Sequence, residues 1–302
     1  MSEPKPLSGK AFFAGGENGL RAFSQDGVNW THLQNDREGT ILDRVAFANG
    51  HCVTAGRYGG ERVCFSTKDG VNWERITLPG RRYVSRVEVL YVEKDQFQMI
   101  LNSDGNIPQL YQSKDGLKWD KPIPLLDDPK VLRRDAHMRG VAIGEDGTLV
   151  AYGDYGARLY RKANLDKWTA LKDVKAIDTL IDLEYGNGVF VGSGLHALRM
   201  SSQDGIEWTE RIVGEEGEHL NAMIWDGQQF VGVGQGATYF SNDGQSWKRV
   251  ENENAPTAAI YGDGLFIGVL WPGRILTSKD GVKWKEVHKF PNHILSLGFG
   301  VL

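Results

Sequence analysis

Cysteine is almost missing from this chain: Cys52 and Cys64 are its two representatives in 302 residues. That excludes a disulfide scaffold. No apolar run approaches the roughly 20 residues a membrane-spanning helix needs, so membrane insertion is not expected. Basic charge is not in excess either. The formal net charge is -4 and the isoelectric point is near 6.0, which argues against a general nucleic-acid or anionic-membrane binder. Several chemical signatures are missing too: there is no Gly-x-Ser-x-Gly elbow, Walker A loop, HExxH or CxxC. The opening "MSEPKPLSGK" has neither the charged nor the apolar region of a signal peptide. A cytoplasmic protein is expected if Met1 is native, and a secreted or periplasmic one if a leader has been removed. Long amphipathic helical patterns are missing as well.

What the chain has is glycine, 38 residues against 10 prolines, and nine tryptophans. The tryptophans punctuate a recurring phrase. It reads "SQDGVNW" from Ser24, "STKDGVNW" from Ser66, "SKDGLKW" from Ser113, "SSQDGIEW" from Ser201, "SNDGQSW" from Ser241 and "SKDGVKW" from Ser278. A worn copy, "RKANLDKW", ends at Trp168. From Trp30 through Trp73, Trp119, Trp168, Trp208 and Trp247 to Trp284 the steps are 43, 46, 49, 40, 39 and 37 residues. A period of about 40 to 50 belongs to four-stranded propeller blades.

The text between the phrases reads as short strands broken by turn residues. In the sixth repeat the expected strands are Leu220 to Trp225, Gln229 to Val233, Ala237 to Ser241 and Ser246 to Val250. "NG" at Asn49 and Asn187 and "DG" at Asp146 and Asp263 divide other repeats in the same way. "KAFFAGG" looks like a second strand with no first, and the terminal "HILSLGFGVL" looks like the strand it lacks. The expectation is an all-β, seven-bladed β-propeller of about 28 strands in one domain over residues 10–302. The C-terminal strand completes the first blade, and residues 1–9 form an N-terminal leader. Cys52 stands where equivalent strands carry Phe190 and Phe266, which marks it as core.

The phrase resembles the Asp-box, or BNR, repeat of sialidase-like propellers, Ser-x-Asp-x-Gly-x-Thr-Trp, although it is one residue shorter between Asp and Trp. Propellers with similar phrases include sialidase relatives, other glycan-active enzymes and photosystem assembly factors. The resemblance implies architecture: in that family the boxes lie away from the ligand face, so no catalytic residue is carried over. It also implies what a true sialidase would need, namely an arginine cluster, a Tyr-Glu nucleophilic pair and an Asp. The Phe/Tyr-Arg-Ile-Pro motif expected near the first blade is replaced by "KAFFAGGENG".

Ligand residues are therefore sought in the loops of the opposite face. Arginine and tyrosine gather there in the second to fourth repeats. Arg57, Tyr58, Arg81, Arg82, Tyr83, Arg86, Arg139 and Tyr155 are candidates, joined by Trp271 from the turn "WPGR". Guanidinium groups take carboxylate, sulfate or phosphate, and tyrosine adds a stacking face. An anionic ligand is expected, either an acidic glycan or a protein partner, bound by a monomer. The bland alternative is a solvated face on which Asp36, Asp127, Asp128 and Asp135 cancel the charge. A glycan-active hydrolase or lyase on the same face is the rival reading.

Histidine supplies one further candidate. Counting back six residues from Ile143, Trp225 and Phe299 gives His137, His219 and His293, each opening an inner strand. With His196 in "GLHA" they are expected to ring the mouth of the central channel. There they would serve as ligand contacts, as acid and base, or as ligands of a transition metal. The alternative is a set of ordinary polar rim residues.

Overall fold

Apolar runs two to eight residues long, separated by pairs of residues that accept positive φ, fold back on themselves as hairpins. Asn49-Gly50 (φ 52° and 69°), Asn187-Gly188 (47° and 80°) and Asp263-Gly264 (49° and 78°) each place two residues in the left-handed region. That geometry matches the right-handed twist of the flanking strands. A computed structural model describes residues 5–78, 87–102, 107–133 and 136–302, and on these the hairpins chain into seven antiparallel sheets. Among the described residues helix is confined to three single turns, Pro129–Val131, Asp154–Gly156 and Ala176–Asp178, and no helix there is long and apolar enough to cross a membrane.

The first sheet has the order Ile294–Val301, Lys10–Gly16, Arg21–Ser24, Thr31–Gln34, so the C-terminal strand supplies its inner edge. Phe12 pairs with Phe299 across that junction, and their rings lie 4.6 Å apart. Six sheets have four strands. The fifth has three, Asp182–Gly186, Val189–Ser193 and Arg199–Ser202, which corrects the expectation of four per blade. Its outermost segment forms no strand and meets the sheet at Thr209, which exchanges hydrogen bonds with Ser201, and at the Arg199–Ile212 bridge, with the Val213 carbonyl accepting from Arg199. In the sixth sheet the last strand is Lys248–Glu251, not Ser246 to Val250, because the Ser246 N–H is already committed to Asp243.

Contacts divide the chain into two compact units. One is Met1–Pro124 with Leu270–Ile275 and Glu286–Leu302; the other is Leu125–Val269 with Leu276–Lys285. In both, the Ser-x-Asp-Gly-x-x-Trp phrase does the same mechanical work. The Asp carboxylate accepts the backbone N–H groups two and three residues on, as Asp243 does from Gln245 (2.8 Å) and Ser246 (2.7 Å). Ser241 Oγ accepts the Gly244 N–H at 2.8 Å. Where two hydroxyl residues precede the box, the second fills this role, Thr67 and Ser202, and not Ser66 or Ser201. Burial opposes ionisation of several of these carboxylates, yet the hydrogen bonds hold Asp69, Asp115, Asp204 and Asp280 below the usual carboxylate range.

The glycine of each box is required twice. Gly116, Gly205, Gly244 and Gly281 have φ between 70° and 76°. A Cβ on them would lie 2.3, 2.4, 2.5 and 2.9 Å from Val53, Val150, Val191 and Val231 in the second strand of the preceding blade. Turn carbonyls are gripped from that same blade, by Ser66 Oγ on Asp115 (2.7 Å) and Thr238 Oγ1 on Gly281 (2.9 Å). These four boxes are thus latches between consecutive blades, which accounts for their repetition.

Arginines three residues before the hydroxyl position extend the latch forward. Arg21, Arg158 and Arg199 are buried. Their guanidinium groups lie over Trp73 (5.0 Å), Trp208 (4.6 Å) and Trp247 (5.4 Å) of the following box. Burial lowers the pKa of Arg21 and Arg158 to about 10 despite the attraction of Asp36 and Asp178. Cys52 is fully buried and pairs with Phe47, as Phe190 does with Tyr185 and Phe266 with Tyr261. It is a core residue, and both cysteines are free thiols.

Candidate binding face

Each blade carries its second-to-third-strand turn at the end opposite its box. Backbone packing fixes what these turns present. A Cβ on Gly16, Gly56, Gly153, Gly194 or Gly234 would fall 1.8 to 2.5 Å from the carbonyl oxygen of His293, Ile41, His137, Thr179 or His219, respectively. Only glycine permits that approach. It confirms the register by which the three histidines were aligned. Two residues beyond these carbonyls several inner strands bulge, at Asp43, Arg139, Asn221 and Leu295, and the third blade bulges at Glu88. A bulge re-aims its side chain, so residues of varied chemistry are placed at the same station of each blade.

The turns themselves are strained where side chains are displayed. Asn18, Tyr155 and His196 have φ of 56°, 59° and 58°, followed by Gly19, Gly156 and Ala197 at 63°, 75° and 48°. Asparagine and glycine tolerate this region; tyrosine, histidine and alanine do so at a cost of about 1 kcal/mol each. The exposed side chains nearby are apolar. In the second unit Tyr155, Ile177, Leu195 and Val213 are 38, 61, 54 and 45 % exposed, and in the first unit Trp271 is 70 % exposed. Short contacts tie the second-unit set together. Gly156 N–H donates to Thr179 Oγ1 (2.9 Å), Leu195 bridges to His219, and Gly214 N–H donates to the His196 carbonyl (2.9 Å).

Among the described residues, several arginines of this sector are neutralised. Arg139 pairs with Asp154 at 2.7 Å, Arg57 lies 3.4 Å from Asp43, and Arg75 lies 3.6 Å from Asp36. Arg44 is spent on the carbonyls of Glu88 and Asp43. Arg62 is buried against the Asn102 carbonyl. Two tyrosines are capped by guanidinium groups, Tyr58 by Arg37 (5.4 Å) and Tyr155 by Arg133 (4.0 Å). Arg81, Arg82, Tyr83 and Arg86 lie outside the described residues.

The histidines do not assemble a metal centre. Among the described residues no group of three His, Cys, Asp or Glu side chains is arranged to hold a metal ion. His137, His219 and His293 each head a different inner strand. His293 is anchored by its backbone to Glu17, and its buried Nδ1 has no partner. The His137 carbonyl accepts the Asp154 N–H at 2.9 Å. His219 and His196 do meet, with ring centroids 5.5 Å apart. The His196 backbone N–H donates to Nδ1 of His219 at 3.0 Å. The neutral ring therefore carries its proton on Nε2, which leaves neither nitrogen a free lone pair for a metal.

Two features escaped sequence reasoning. Glu218, buried beside His219, accepts the Tyr239 hydroxyl, Arg249 Nε at 2.9 Å and the Glu215 N–H at 2.9 Å. Burial pushes its pKa up, but these bonds win and hold it below the usual range. Arg199 stacks on the same Tyr239 at 3.9 Å. The set has the composition of a glycosidase site, but Tyr239 and Glu218 are both buried and spent on each other. Its evident role is to fix the Gly214–Glu218 connector under His196. The second feature is Glu184, on the inner strand of the fifth blade. The same strand position in the fourth, sixth and seventh blades holds Ala142, Ile224 and Ile260. Burial, then the neighbouring Asp182, pushes Glu184 up to about 8.

No family model matches the chain, and no curated protein matches it. Solved structures do. "YCF48 bound to D1 peptide" aligns over 82 % of this chain and 81 % of its own, with a TM-score of 0.59 at 19 % identity. YCF48 from Cyanidioschyzon merolae aligns over 84 % and 87 %, with 0.59 at 15 %. The Cps50 (Swd1) β-propeller domain of Myceliophteria thermophila aligns over 85 % and 89 %, with 0.62 at 10 %. The chain is a seven-bladed β-propeller. Identities this low carry the fold alone, and the likeness to the Asp-box family rests on the repeat phrase without a matching family model.

Proposed function

We propose that this propeller is a recognition module that takes a segment of a partner protein on its second-to-third-strand turns. The observation that carries the reading is the display of apolar and aromatic side chains, Tyr155 and Leu195, on turns that are partly strained and tied down by hydrogen bonds. Maintaining such an arrangement costs stability, which is characteristic of functional surfaces. Arginines paired with Asp43, Asp36 and Asp154 speak against an acidic glycan as the main ligand. The closed Tyr239–Glu218 pair offers no nucleophile to solvent, which speaks against hydrolysis. One propeller of the same fold, YCF48, has been solved with a D1 peptide bound.

A random linear-peptide display library screened in parallel with a glycan array tests the reading. Enrichment of peptides whose affinity falls about tenfold or more in Tyr155→Ala and Leu195→Ser, with unchanged melting, is the expected result. Lys279→Ala, on a box turn, should bind normally. Binding to acidic glycans only, or release of sugar products, would replace this reading with its glycan rivals.

A further inference from the structure

We propose that His219 reads a main-chain carbonyl of the bound segment, beside the exposed Leu195. The inference rests on the recognition reading above and names the chemistry of one part of that site.

Three observations converge on it. The ring is locked: Nδ1 accepts the His196 N–H at 3.0 Å, so Nε2 carries the proton and is a donor. No hydrogen bond is made by Nε2 among the described residues. Leu195, an exposed aliphatic residue, is also bridged to His219 through the backbone. A neutral donor beside an exposed aliphatic residue suits a peptide carbonyl in an apolar stretch better than a charge. Finally, the surroundings are built to hold it. The strained His196-Ala197 turn is fixed by the Gly214 N–H, and its connector by Glu218 with Tyr239 and Arg249.

Glutamine can perform both tasks of the neutral ring, its carbonyl accepting the His196 N–H and its amide donating outward. Peptides selected from the linear library are measured by calorimetry at about pH 7.5 against wild type, His219→Gln, His219→Ala and His196→Ala. His219→Gln should bind within about twofold of wild type and His219→Ala about tenfold more weakly, while His196→Ala, which keeps the backbone N–H, should bind as wild type does. Thermal melting of each variant shows whether the fold is kept. Binding by His219→Gln as weak as that of His219→Ala, or full-strength binding by His219→Ala, overturns the assignment and leaves the recognition reading standing. If no peptide binds wild type, both fall together.

Discussion

Replacing Glu184 with Gln should stabilise this protein in alkali and leave it nearly unchanged in mild acid. Glu184 lies on the inner strand Asp182–Gly186, partly buried, where the equivalent residues of neighbouring blades are apolar. Burial is the main reason its pKa rises from 4.5 to about 8, and the adjacent Asp182 adds to it. Asp182 is itself raised by burial, although Met223 N–H, the Tyr152 hydroxyl and Leu183 N–H all donate to it. A carboxyl whose folded pKa exceeds its unfolded one binds its proton more tightly in the native state. Stability is therefore complete below about pH 4.5 and is lost as pH rises towards 8. At about 1.36 kcal/mol per pKa unit the full shift amounts to ~5 kcal/mol. Water reaching the partly exposed carboxylate screens it, so a loss on the order of 2–3 kcal/mol is expected. The amide introduced by Glu184→Gln has the same shape as the carboxyl and never ionises. Urea unfolding of both proteins at about pH 5 and about pH 9 should give coincident midpoints at the lower pH and a higher midpoint for Glu184→Gln at the upper one. Parallel pH dependence of the two proteins would refute the reasoning.

Gly244→Ala should destabilise by about 2–3 kcal/mol in thermal unfolding, because the new Cβ meets Val191 Cγ2 at 2.5 Å and the residue sits at φ 72°. Gly227→Ala, with φ 93° and open space around it, should cost only the backbone strain, about 1 kcal/mol. Hydrogen bonds, first from the Ser246 and then from the Gln245 backbone N–H, lower the Asp243 carboxyl to about 2. Its contribution is present above the unfolded value of 3.8 and disappears as pH falls through 2. Asp243→Asn should accordingly show a shallower acid unfolding curve than wild type.

The architecture was legible because it is repeated. Six near-identical phrases fix a period, and the period fixes blade number whatever the local errors. The split first blade was readable from "KAFFAGG" and "HILSLGFGVL", since each lacked the partner that the other supplied. The three-stranded fifth blade was not readable, because Thr209 to Val213 has strand-forming residues and fails only in pairing. Register also placed His137, His219 and His293 correctly, through the carbonyl-on-glycine contacts behind them. What they do was out of reach, because the His219 tautomer depends on a backbone N–H 23 residues away in sequence.

The arginine sector shows the opposite failure. Composition gathers the guanidinium groups, but only coordinates reveal that Asp43, Asp36 and Asp154 have claimed several of them. Two signals in the sequence were available and unused. Arginine recurs three residues before the hydroxyl position, in "RAFS", "RLYR" and "RMSS", and marks the buried inter-blade stacks. Aligning the inner strands also isolates Glu184 among Gly298, Ala46, Tyr91, Ala142, Ile224 and Ile260, a lone carboxylate among uncharged residues.

Hydrogen exchange of the propeller with and without a library-selected peptide tests the central claim most directly. Protection gained at Gly153–Ala157, Gly194–Leu198 and Ile212–His219, with the box turns such as Ser241–Trp247 unchanged, is the result predicted here. Protection confined to the box turns would contradict it.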